Sequence, residues 1–343
     1  MPKVKGCVKV GTGKVALTEY ELGDPGPGQI LVRPTLTTIC GSDMHIVDDM
    51  PDIPDGTPMG HESVGIVEAV GNGVERVKVG EKVVVSCLQS CGECATCSRS
   101  DFNICETFAA PMNLVLGAQA ELLLVNGADH SVAPLPSSVD DKAGVLVSDI
   151  LSTGFGACER AGVGPGSTVA IFAQGPVGLC ATLGAKYYGA ERIIVVESIP
   201  ERIAMAKNFG ATDVVAPETA VDAILELTGG GGADIAIEAL GKQVTFENCL
   251  KSTRFGGTVS SVGVYGGIDA LSLPTDGTFI HRSIVMTLCP AGRDRLEFLL
   301  GLIDAGKVDP TPLFTHDLPL ASVVQAYDLF RSRSEGVMKV ALR

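Results

Sequence analysis

The pattern of apolar and polar positions changes near residue 150. Before it, short runs rich in Val and Ile alternate with turn signals, which is typical of a β-rich unit with long loops. The clearest strands are Ile30–Arg33, Gly65–Val70 and Lys82–Val85. Turn signals include Asp24–Gly28 and Gly71–Gly73. We therefore predict an all-β unit for the first part of the chain.

From about residue 167 to residue 289, predicted strands and helices alternate. The strand candidates are short apolar runs: Thr168–Phe172, Arg192–Val196, Asp213–Ala216, Ala233–Glu238, Thr258–Val262 and Ser283–Leu288. Helical patterns lie between them, over Val177–Tyr188, Glu201–Phe209, Ala220–Leu227 and Gln243–Leu250. Strands joined by crossover helices predict a doubly wound parallel sheet, an α/β fold. The rest of the chain returns to helix and loop, which we expect to pack on the first domain.

A turn with two glycines follows the first strand of the predicted sheet. Its sequence, Ala173-Gln174-Gly175-Pro176-Val177-Gly178, is a dinucleotide fingerprint with Ala in place of the first Gly. The second Gly lets the backbone approach a pyrophosphate, and the third lets helix and strand pack closely. The helix N-terminus offers N–H groups and a positive dipole to the phosphates. The cofactor-binding candidates here are Gly175, Pro176, Val177 and Gly178.

An acidic residue, Glu197, closes the next strand. Its carboxylate can accept both hydroxyls of an adenosine ribose and would repel a 2′-phosphate, so we predict NAD as the cofactor rather than NADP. A solvated glutamate at a strand end is the alternative interpretation. Arg202, five residues later, is a candidate contact for the adenosine end or an ordinary charge on a helix surface.

Composition narrows the class of protein. A chain of 343 residues is too long for one core, so we expect two domains. Its net charge of −14 disfavours nucleic acid and anionic membranes as partners. No apolar run is long enough to span a bilayer, and Met1–Lys5 lack the apolar core of a signal peptide. We expect a cytoplasmic protein.

Four of the eleven cysteines cluster with the spacing C-x2-C-x2-C-x7-C, as Cys91, Cys94, Cys97 and Cys105. In a cytoplasmic protein such thiols indicate a metal site rather than disulfides. Four thiolates form a closed tetrahedral set, which is typical of structural zinc. Reduced thiols without metal, or a zinc ribbon that binds nucleic acid, are the alternatives, and the acidic balance disfavours the ribbon. Cys87 lies at the wrong spacing, and we interpret it as a small apolar residue near the active cleft.

A second constellation lies upstream of this cluster. Cys40 is followed by Ser42, Asp43 and His45, and the pair His61-Glu62 comes shortly after. A lone Cys or His is usually a packed core residue, but this combination offers a soft ligand and an imidazole with no complete ligand set. A zinc site with an open position can polarise a substrate oxygen. The contrast of a closed site and an open one indicates an enzyme.

These motifs together resemble those of the zinc-containing medium-chain alcohol dehydrogenases, over essentially the whole chain. The matching pieces are C-G-S-D-x-H, G-H-E-x-x-G-x-V, the four-Cys lobe and G-P-V-G-L. The segment Ser148–Phe155 is most similar to the bacterial secondary-alcohol branch, in which an Asp replaces the Cys that serves as third zinc ligand elsewhere. Asp149 stands at that position. The branch often lacks the four-Cys lobe, which this chain keeps.

The resemblance implies two domains and an oligomer. A GroES-like β-barrel catalytic domain would cover residues 1–149 and 290–343, with the structural zinc lobe at 87–106. A Rossmann NAD-binding domain would cover residues 150–289. Members of the family form homotetramers or, less often, dimers.

The resemblance also assigns roles to the upstream constellation. Cys40, His61 and Asp149 would hold the catalytic zinc, with Glu62 near enough to enter or adjust the coordination. Two zinc ions per chain and NAD are then the expected cofactors. The zinc would polarise the alcohol, and NAD would take the hydride.

Further family positions suggest a proton path and a nicotinamide contact. Ser42 would be the first proton carrier and His45 the next, although Ser42 could instead cap a helix. Asp43 would brace His61 through its second ring nitrogen. Thr153 would sit against the nicotinamide face.

The function predicted is the reversible oxidation of small or medium secondary alcohols to ketones by hydride transfer to NAD. One alternative is a polyol, primary-alcohol or aldehyde dehydrogenase with the same machinery. A hypothesis from another class is a non-catalytic NAD- and zinc-binding sensor on the same scaffold. Zinc-free relatives lack the ligands, whereas Cys40, His61 and Asp149 are all in place here.

Overall fold

The computed structural model describes residues 3–108, 113–333 and 336–343. The chain forms two compact units. Unit 1 comprises Met1–Ser152 and Cys289–Arg343, and unit 2 comprises Thr153–Leu288. No helix in the described ranges has both the length and the apolar character needed to cross a bilayer.

The first segment of unit 1 is built mainly from strands. These are β1 (Lys3–Lys9), β2 (Val15–Glu21), β3 (Ile30–Ile39), β4 (Ser63–Val70), β5 (Lys82–Val85), β6 (Leu123–Val125) and β7 (Val132–Pro134). Short helices interrupt them, namely α1 (Gly41–Asp48), α2 (Ala128–Ser131) and α3 (Asp141–Val147). The expectation of an all-β unit is therefore too simple, because local cap signals start helices. In α3, for example, the Asp140 carboxylate accepts the Ala143 N–H at 2.7 Å.

Unit 2 carries the alternating pattern predicted from the sequence. Its strands are β8 (Thr168–Phe172), β9 (Arg192–Val196), β10 (Asp213–Val215), β11 (Ala233–Glu238), β12 (Thr253–Ser261) and β13 (Ser283–Met286). Its helices are α4 (Ile150–Ala161), which starts at the end of unit 1, α5 (Pro176–Tyr187), α6 (Pro200–Phe209), α7 (Ala220–Leu227) and α8 (Gln243–Ser252). The strands form one parallel sheet in the order β10-β9-β8-β11-β12-β13. This order is that of a doubly wound nucleotide-binding fold, so the predicted fold class is confirmed.

The last segment of the chain belongs to unit 1. It forms α9 (Arg293–Asp304), β14 (Phe314–Leu318), α10 (Val323–Ser332) and β15 (Lys339–Leu342). Strand β15 pairs antiparallel with β3, with Val340 opposite Ile39. The described strands of this sheet run β14-β15-β3-β4-β5-β7, and β6 also pairs with β3. The end of the chain therefore lies beside the strand that leads into Cys40.

Each unit has its own apolar core. In unit 2, Phe172 and Phe246 lie among the buried residues that surround β8 and β11. In unit 1, Ile39 of β3 packs with Tyr327 of α10 and Val340 of β15. Burying one large apolar side chain contributes about 1.5–3 kcal/mol, so these clusters hold rigidly the strand ends from which the candidate site residues emerge.

Candidate metal centres and nucleotide site

Three potential metal ligands from separate parts of unit 1 meet at one buried point. Cys40 follows β3, His61 precedes β4, and Asp149 lies between α3 and α4. Their ligand atoms all lie within 4.8 Å of one another. Asp149 Oδ2 is 3.4 Å from Cys40 Sγ and 3.3 Å from His61 Nε2. A thiol, an imidazole and a carboxylate at these separations can bind one ion as a three-ligand site.

The orientation of His61 is fixed by Asp43 on α1. Asp43 Oδ1 lies 3.0 Å from His61 Nδ1, and Oδ2 accepts the Cys40 N–H at 3.0 Å. Among the described residues, the buried Nε2 atom of His61 has no hydrogen-bond partner. A histidine that binds zinc through one ring nitrogen usually has its other ring nitrogen held by a hydrogen-bond partner. His61 has this arrangement, with Nδ1 held by Asp43 and Nε2 left for a metal. The residues present therefore fit a zinc ion.

Sequence reasoning missed the residues that hold Asp43 itself. Gln119 Nε2 donates to Asp43 Oδ2 at 3.2 Å and to the Thr38 carbonyl at 3.0 Å. The hydroxyl of Tyr327, from α10, donates to Gln119 Oε1 at 3.0 Å. Gln119 and Tyr327 belong to no recognisable motif, and only the fold brings these distant positions together.

The electrostatics of the cluster are those of a site that exchanges protons for a cation. Burial raises the pKa of Cys40, and the charges of Glu62 and Asp149 raise it further. Burial alone would lower the pKa of His61, but the Asp43 carboxylate, together with the nearby Asp149 carboxylate, holds it well above its usual value. A metal must displace these protons when it binds.

Glu62, which precedes β4, is completely buried next to this cluster. Its Oε2 atom accepts hydrogen bonds from the Lys339 ammonium and the Thr38 hydroxyl. Its Oε1 atom has no hydrogen-bond partner in the described part of the chain. Burial raises the pKa of Glu62, and the positive charge of Lys339 opposes this rise. No motif marked Lys339 in the sequence, because strand pairing at the far end of the chain brings it to Glu62.

The two predicted proton carriers lie on α1. Ser42 Oγ is 3.8 Å from Cys40 Sγ. His45 is partly exposed, and its Nδ1 atom lies 2.6 Å from Asp49 Oδ2. The helix thus places a hydroxyl beside the buried cluster and an imidazole nearer the solvent.

The four-cysteine lobe brings its sulfur atoms together as its spacing predicts. All four Sγ atoms lie within 4.8 Å of one another. The Cys91–Cys97 distance is 3.9 Å and the Cys94–Cys105 distance is 4.0 Å. Zinc–sulfur bonds in a tetrahedron put neighbouring sulfur atoms roughly 3.8 Å apart, so the lobe fits one zinc ion.

Backbone amides prepare the lobe for negative charge. The N–H groups of Cys94 and Glu93 point at Cys91 Sγ, at 3.3 and 3.5 Å. Hydrogen bonds from the Thr96 hydroxyl and from backbone amides lower the pKa of Cys94 to about 5. In contrast, burial and the neighbouring thiols raise the pKa of Cys97 to about 12. The lobe therefore needs a cation before all its thiols ionise.

In unit 2, the glycine turn lies between β8 and α5. Gly175 is the N-cap residue of α5, and Pro176 and Val177 open the helix. A Cβ atom on Gly178 would lie 2.0 Å from the Ala173 carbonyl oxygen, so only glycine fits there. Ala173 stands where the fingerprint has its first Gly, and it adopts the left-handed conformation that a Gly would favour, with φ of 73°. The turn thus has the shape of the fingerprint despite the substitution.

Glu197 ends β9 beside this turn. Its carboxylate accepts the N–H of Gln174 at 3.0 Å and the N–H groups of Ser198 and Ile199 at 2.8 and 3.1 Å. Arg202 of α6 lies 3.7 Å from Glu197 Oε2. Glu197 therefore places a carboxylate at the point where β9 meets the glycine turn.

Thr153, the residue predicted to contact the nicotinamide, is a buried residue of α4.

Comparison with known proteins agrees with this geometry. Residues 26–137 match the family model of the alcohol dehydrogenase GroES-like domain, and residues 176–304 match that of the zinc-binding dehydrogenase. The chain belongs to the zinc-type alcohol dehydrogenases. It is therefore an oxidoreductase of a family that uses zinc and a nicotinamide cofactor.

Its relatives in this family cover nearly the whole chain. An alcohol dehydrogenase of Cupriavidus necator is 37% identical over 99% of this chain and 98% of its own. An NADP-dependent isopropanol dehydrogenase of Thermoanaerobacter brockii is 34% identical over 98% of each chain. The solved structure of zinc dependent alcohol dehydrogenase 2 from Streptococcus pneumonia, in its apo form, superposes with a TM-score of 0.92 at 34% identity, over 99% of this chain and 98% of its own. The predicted resemblance is confirmed.

Proposed function

We propose that this alcohol dehydrogenase oxidises small or medium secondary alcohols to ketones, reversibly, with two zinc ions per chain and NAD. The observation that supports this most directly is the convergence of Cys40, His61 and Asp149 on one buried point. The carboxylate in the third position is the feature that the chain shares with the secondary-alcohol branch. A relative named NADP-dependent isopropanol dehydrogenase, 34% identical, adds support for a secondary alcohol as substrate.

In the proposed mechanism, Cys40, His61 and Asp149 would hold the catalytic zinc as its protein ligands. Bound there, zinc supplies a Lewis acid, and the nicotinamide supplies the hydride acceptor. Asp43 keeps the Nε2 atom of His61 directed at the metal position through its contact with Nδ1. Glu62, whose Oε2 atom is held by Lys339, keeps a second carboxylate within reach to adjust the coordination.

The remaining residues move the proton and position the cofactor. Ser42 accepts the proton of the alcohol while it passes its own hydroxyl proton on towards His45, and His45 releases a proton to water from its partly exposed position on α1. Gly175, Pro176, Val177 and Gly178 seat the pyrophosphate at the N-terminus of α5. Glu197 accepts hydrogen bonds from the ribose hydroxyls of NAD. Arg202 contacts the adenosine end of the cofactor, and Thr153 lies against its nicotinamide ring.

Two further properties belong to this proposal: a cytoplasmic location and a homotetrameric or dimeric assembly. Strand β13 is an edge of the parallel sheet in unit 2. It and its neighbours expose the apolar side chains Phe279, Ile280, Ile284, Met286 and Leu288. An exposed apolar edge strand is a template for pairing with a second copy of the same chain.

A panel of alcohols tests the substrate class. With zinc-loaded protein and NAD, we expect secondary alcohols such as 2-propanol and 2-butanol to give the highest kcat/KM, measured as NADH absorbance. Faster turnover of primary alcohols or polyols would replace the proposed substrate class. Absence of NADH with every alcohol, from protein that contains its zinc, would favour the sensor.

Zinc counting separates the two metal sites. We expect His61→Ala to lose one zinc per chain and at least about a thousandfold in kcat/KM, because polarisation of the substrate oxygen contributes several kcal/mol. His316→Ala, an exchange at a histidine outside the cluster, is the matched control and should change neither the zinc content nor kcat/KM.

Cys97→Ser should lose the zinc of the four-cysteine lobe and lower the unfolding temperature, whereas Cys249→Ala should keep both zinc ions. Full zinc content in both His61→Ala and Cys97→Ser would contradict the two-site assignment.

Exchange of Glu197 tests cofactor choice. We expect Glu197→Ala to lower the ratio of kcat/KM for NAD to that for NADP by at least about tenfold, or ~1.4 kcal/mol, because the repulsion of a 2′-phosphate is removed. Glu201→Ala, an exposed change in the first turn of α6, controls for loss of acidic charge nearby. An unchanged ratio in folded Glu197→Ala would show that NAD preference does not depend on this carboxylate.

Light scattering tests the assembly. The wild-type protein should show the mass of a tetramer or dimer, and the double change Ile284→Lys with Met286→Lys should lower that mass, because it places charge on the edge strand. Val244→Lys, at an exposed position on α8, serves as control. A monomeric wild type would refute the proposed assembly.

A further inference from the structure

Glu238, the last residue of β11, is a completely buried carboxylate that has no role in the proposed mechanism. Its Oε1 atom accepts the N–H groups of Leu240 and Gly241 at 3.0 and 2.8 Å and the hydroxyl of Thr245 at 2.6 Å. The hydroxyl of Tyr265 donates to its Oε2 atom at 3.0 Å. A buried charge is costly unless hydrogen bonds replace its hydration. Neutral donors from two separate segments of unit 2 provide these bonds to Glu238.

The two segments follow β11 and β12 in the chain, and we call them the β11 segment (239–245) and the β12 segment (262–265). They approach each other closely at the carboxylate. A Cβ atom on Gly263 would lie 2.4 Å from Glu238 Oε2, and one on Gly241 would lie 2.1 Å from the Val264 carbonyl oxygen. The backbones of the two segments therefore meet beside Glu238 with no room for a side chain between them.

Tyr265 connects the β12 segment to the carboxylate. Its ring packs edge-on against Phe246 of α8, with the ring centroids 6.5 Å apart. Burial raises the pKa of Tyr265, and the charge of Glu238 raises it further, so the hydroxyl stays protonated and remains a donor. Ser261, at the end of β12, lies 2.7 Å from that hydroxyl and 3.4 Å from Glu238 Oε2. One carboxylate thus fixes both segments through hydrogen bonds.

The position of Glu238 in the sheet relates it to the cofactor. Strand β8, which leads into the glycine turn, lies between β9 and β11. Glu238 is paired with Phe172, the residue before the turn, and the Ala239 N–H donates to the Phe172 carbonyl at 3.2 Å. In a doubly wound sheet, a dinucleotide lies across the carboxyl ends of the strands where the strand order reverses. With the adenosine end at Glu197 of β9, as proposed, the nicotinamide end extends towards the β11 and β12 segments.

We propose that Glu238 is a positioning residue for the nicotinamide half of the cofactor. Its carboxylate holds the β11 and β12 segments in the shape that receives this half, so that binding does not have to order them. The inference rests on the proposed placement of the adenosine end at Glu197. It does not depend on the alcohol substrate or on the choice between NAD and NADP.

Calorimetric titration of zinc-loaded protein with NAD, NADP and AMP, in the absence of alcohol, tests this role. We expect Glu238→Ala to weaken binding of the preferred dinucleotide at least about tenfold, because buried N–H and hydroxyl groups lose their shared acceptor. AMP, which lacks the nicotinamide half, should bind with unchanged affinity. Glu238→Gln keeps an oxygen that can accept the N–H groups of Leu240 and Gly241, and it should restore most of the dinucleotide affinity.

Two further variants complete the design. Asp234 lies near the start of β11, at the opposite edge of the sheet, and its carboxylate accepts the Thr168 N–H at 2.7 Å. Asp234→Ala is therefore the matched control and should bind all three nucleotides as the wild type does. The double change Thr245→Val with Tyr265→Phe removes one donor from each segment with little change of shape. It should weaken dinucleotide binding about fivefold and leave AMP binding unchanged, which keeps the test decisive if Glu238→Ala does not fold.

Unchanged dinucleotide affinity in folded Glu238→Ala, or in the double variant, would overturn the inference. An equal loss of AMP affinity would overturn it too, because it would indicate a general effect on unit 2. Wild-type protein that binds neither dinucleotide would refute both this inference and the proposed cofactor. In contrast, a wild type that binds the dinucleotide but forms no NADH in the alcohol panel would bear on the proposed function only.

Discussion

The buried carboxylate of Asp43 is the constraint on which the metal-binding part of unit 1 depends. It is completely shielded from solvent, and a charge in that position is tolerated only with several partners. It meets His61 Nδ1, the Cys40 N–H and the Gln119 amide. One side chain therefore sets the orientation of one metal ligand and the backbone position of another.

Much of the scaffold could be predicted because its signals are local. Val- and Ile-rich strands, crossover helices and the glycine turn each follow from a few adjacent residues, as in Thr168–Phe172 and the turn that ends at Gly178. The close approach of Gly178 to Ala173 is fixed by backbone geometry, and such constraints leave a mark in sequence. The spacing of the four-cysteine lobe is local in the same sense.

The partners of the site residues could not be predicted, because they are brought by tertiary structure. Lys339 reaches Glu62 only because β15 pairs with β3. Gln119 and Tyr327 are ordinary polar residues until the fold places them behind Asp43. Helix α3 is hard to predict for a different reason. Its N-cap residue, Asp140, is a short-range signal within a part of the chain whose pattern is mainly that of β-strands.

The interrupted path of unit 1 has a consequence for biosynthesis. Unit 2 is one continuous stretch, Thr153–Leu288, and all its strands are synthesised before the return segment is translated. Unit 1 must wait, because β15 and the ammonium group that compensates Glu62 belong to the return segment, which is made after unit 2. A nascent chain thus holds an unfinished barrel with a buried acid still lacking its counter-charge. The acid beside Cys40 and His61 gains that counter-charge only after the whole of unit 2 has been made.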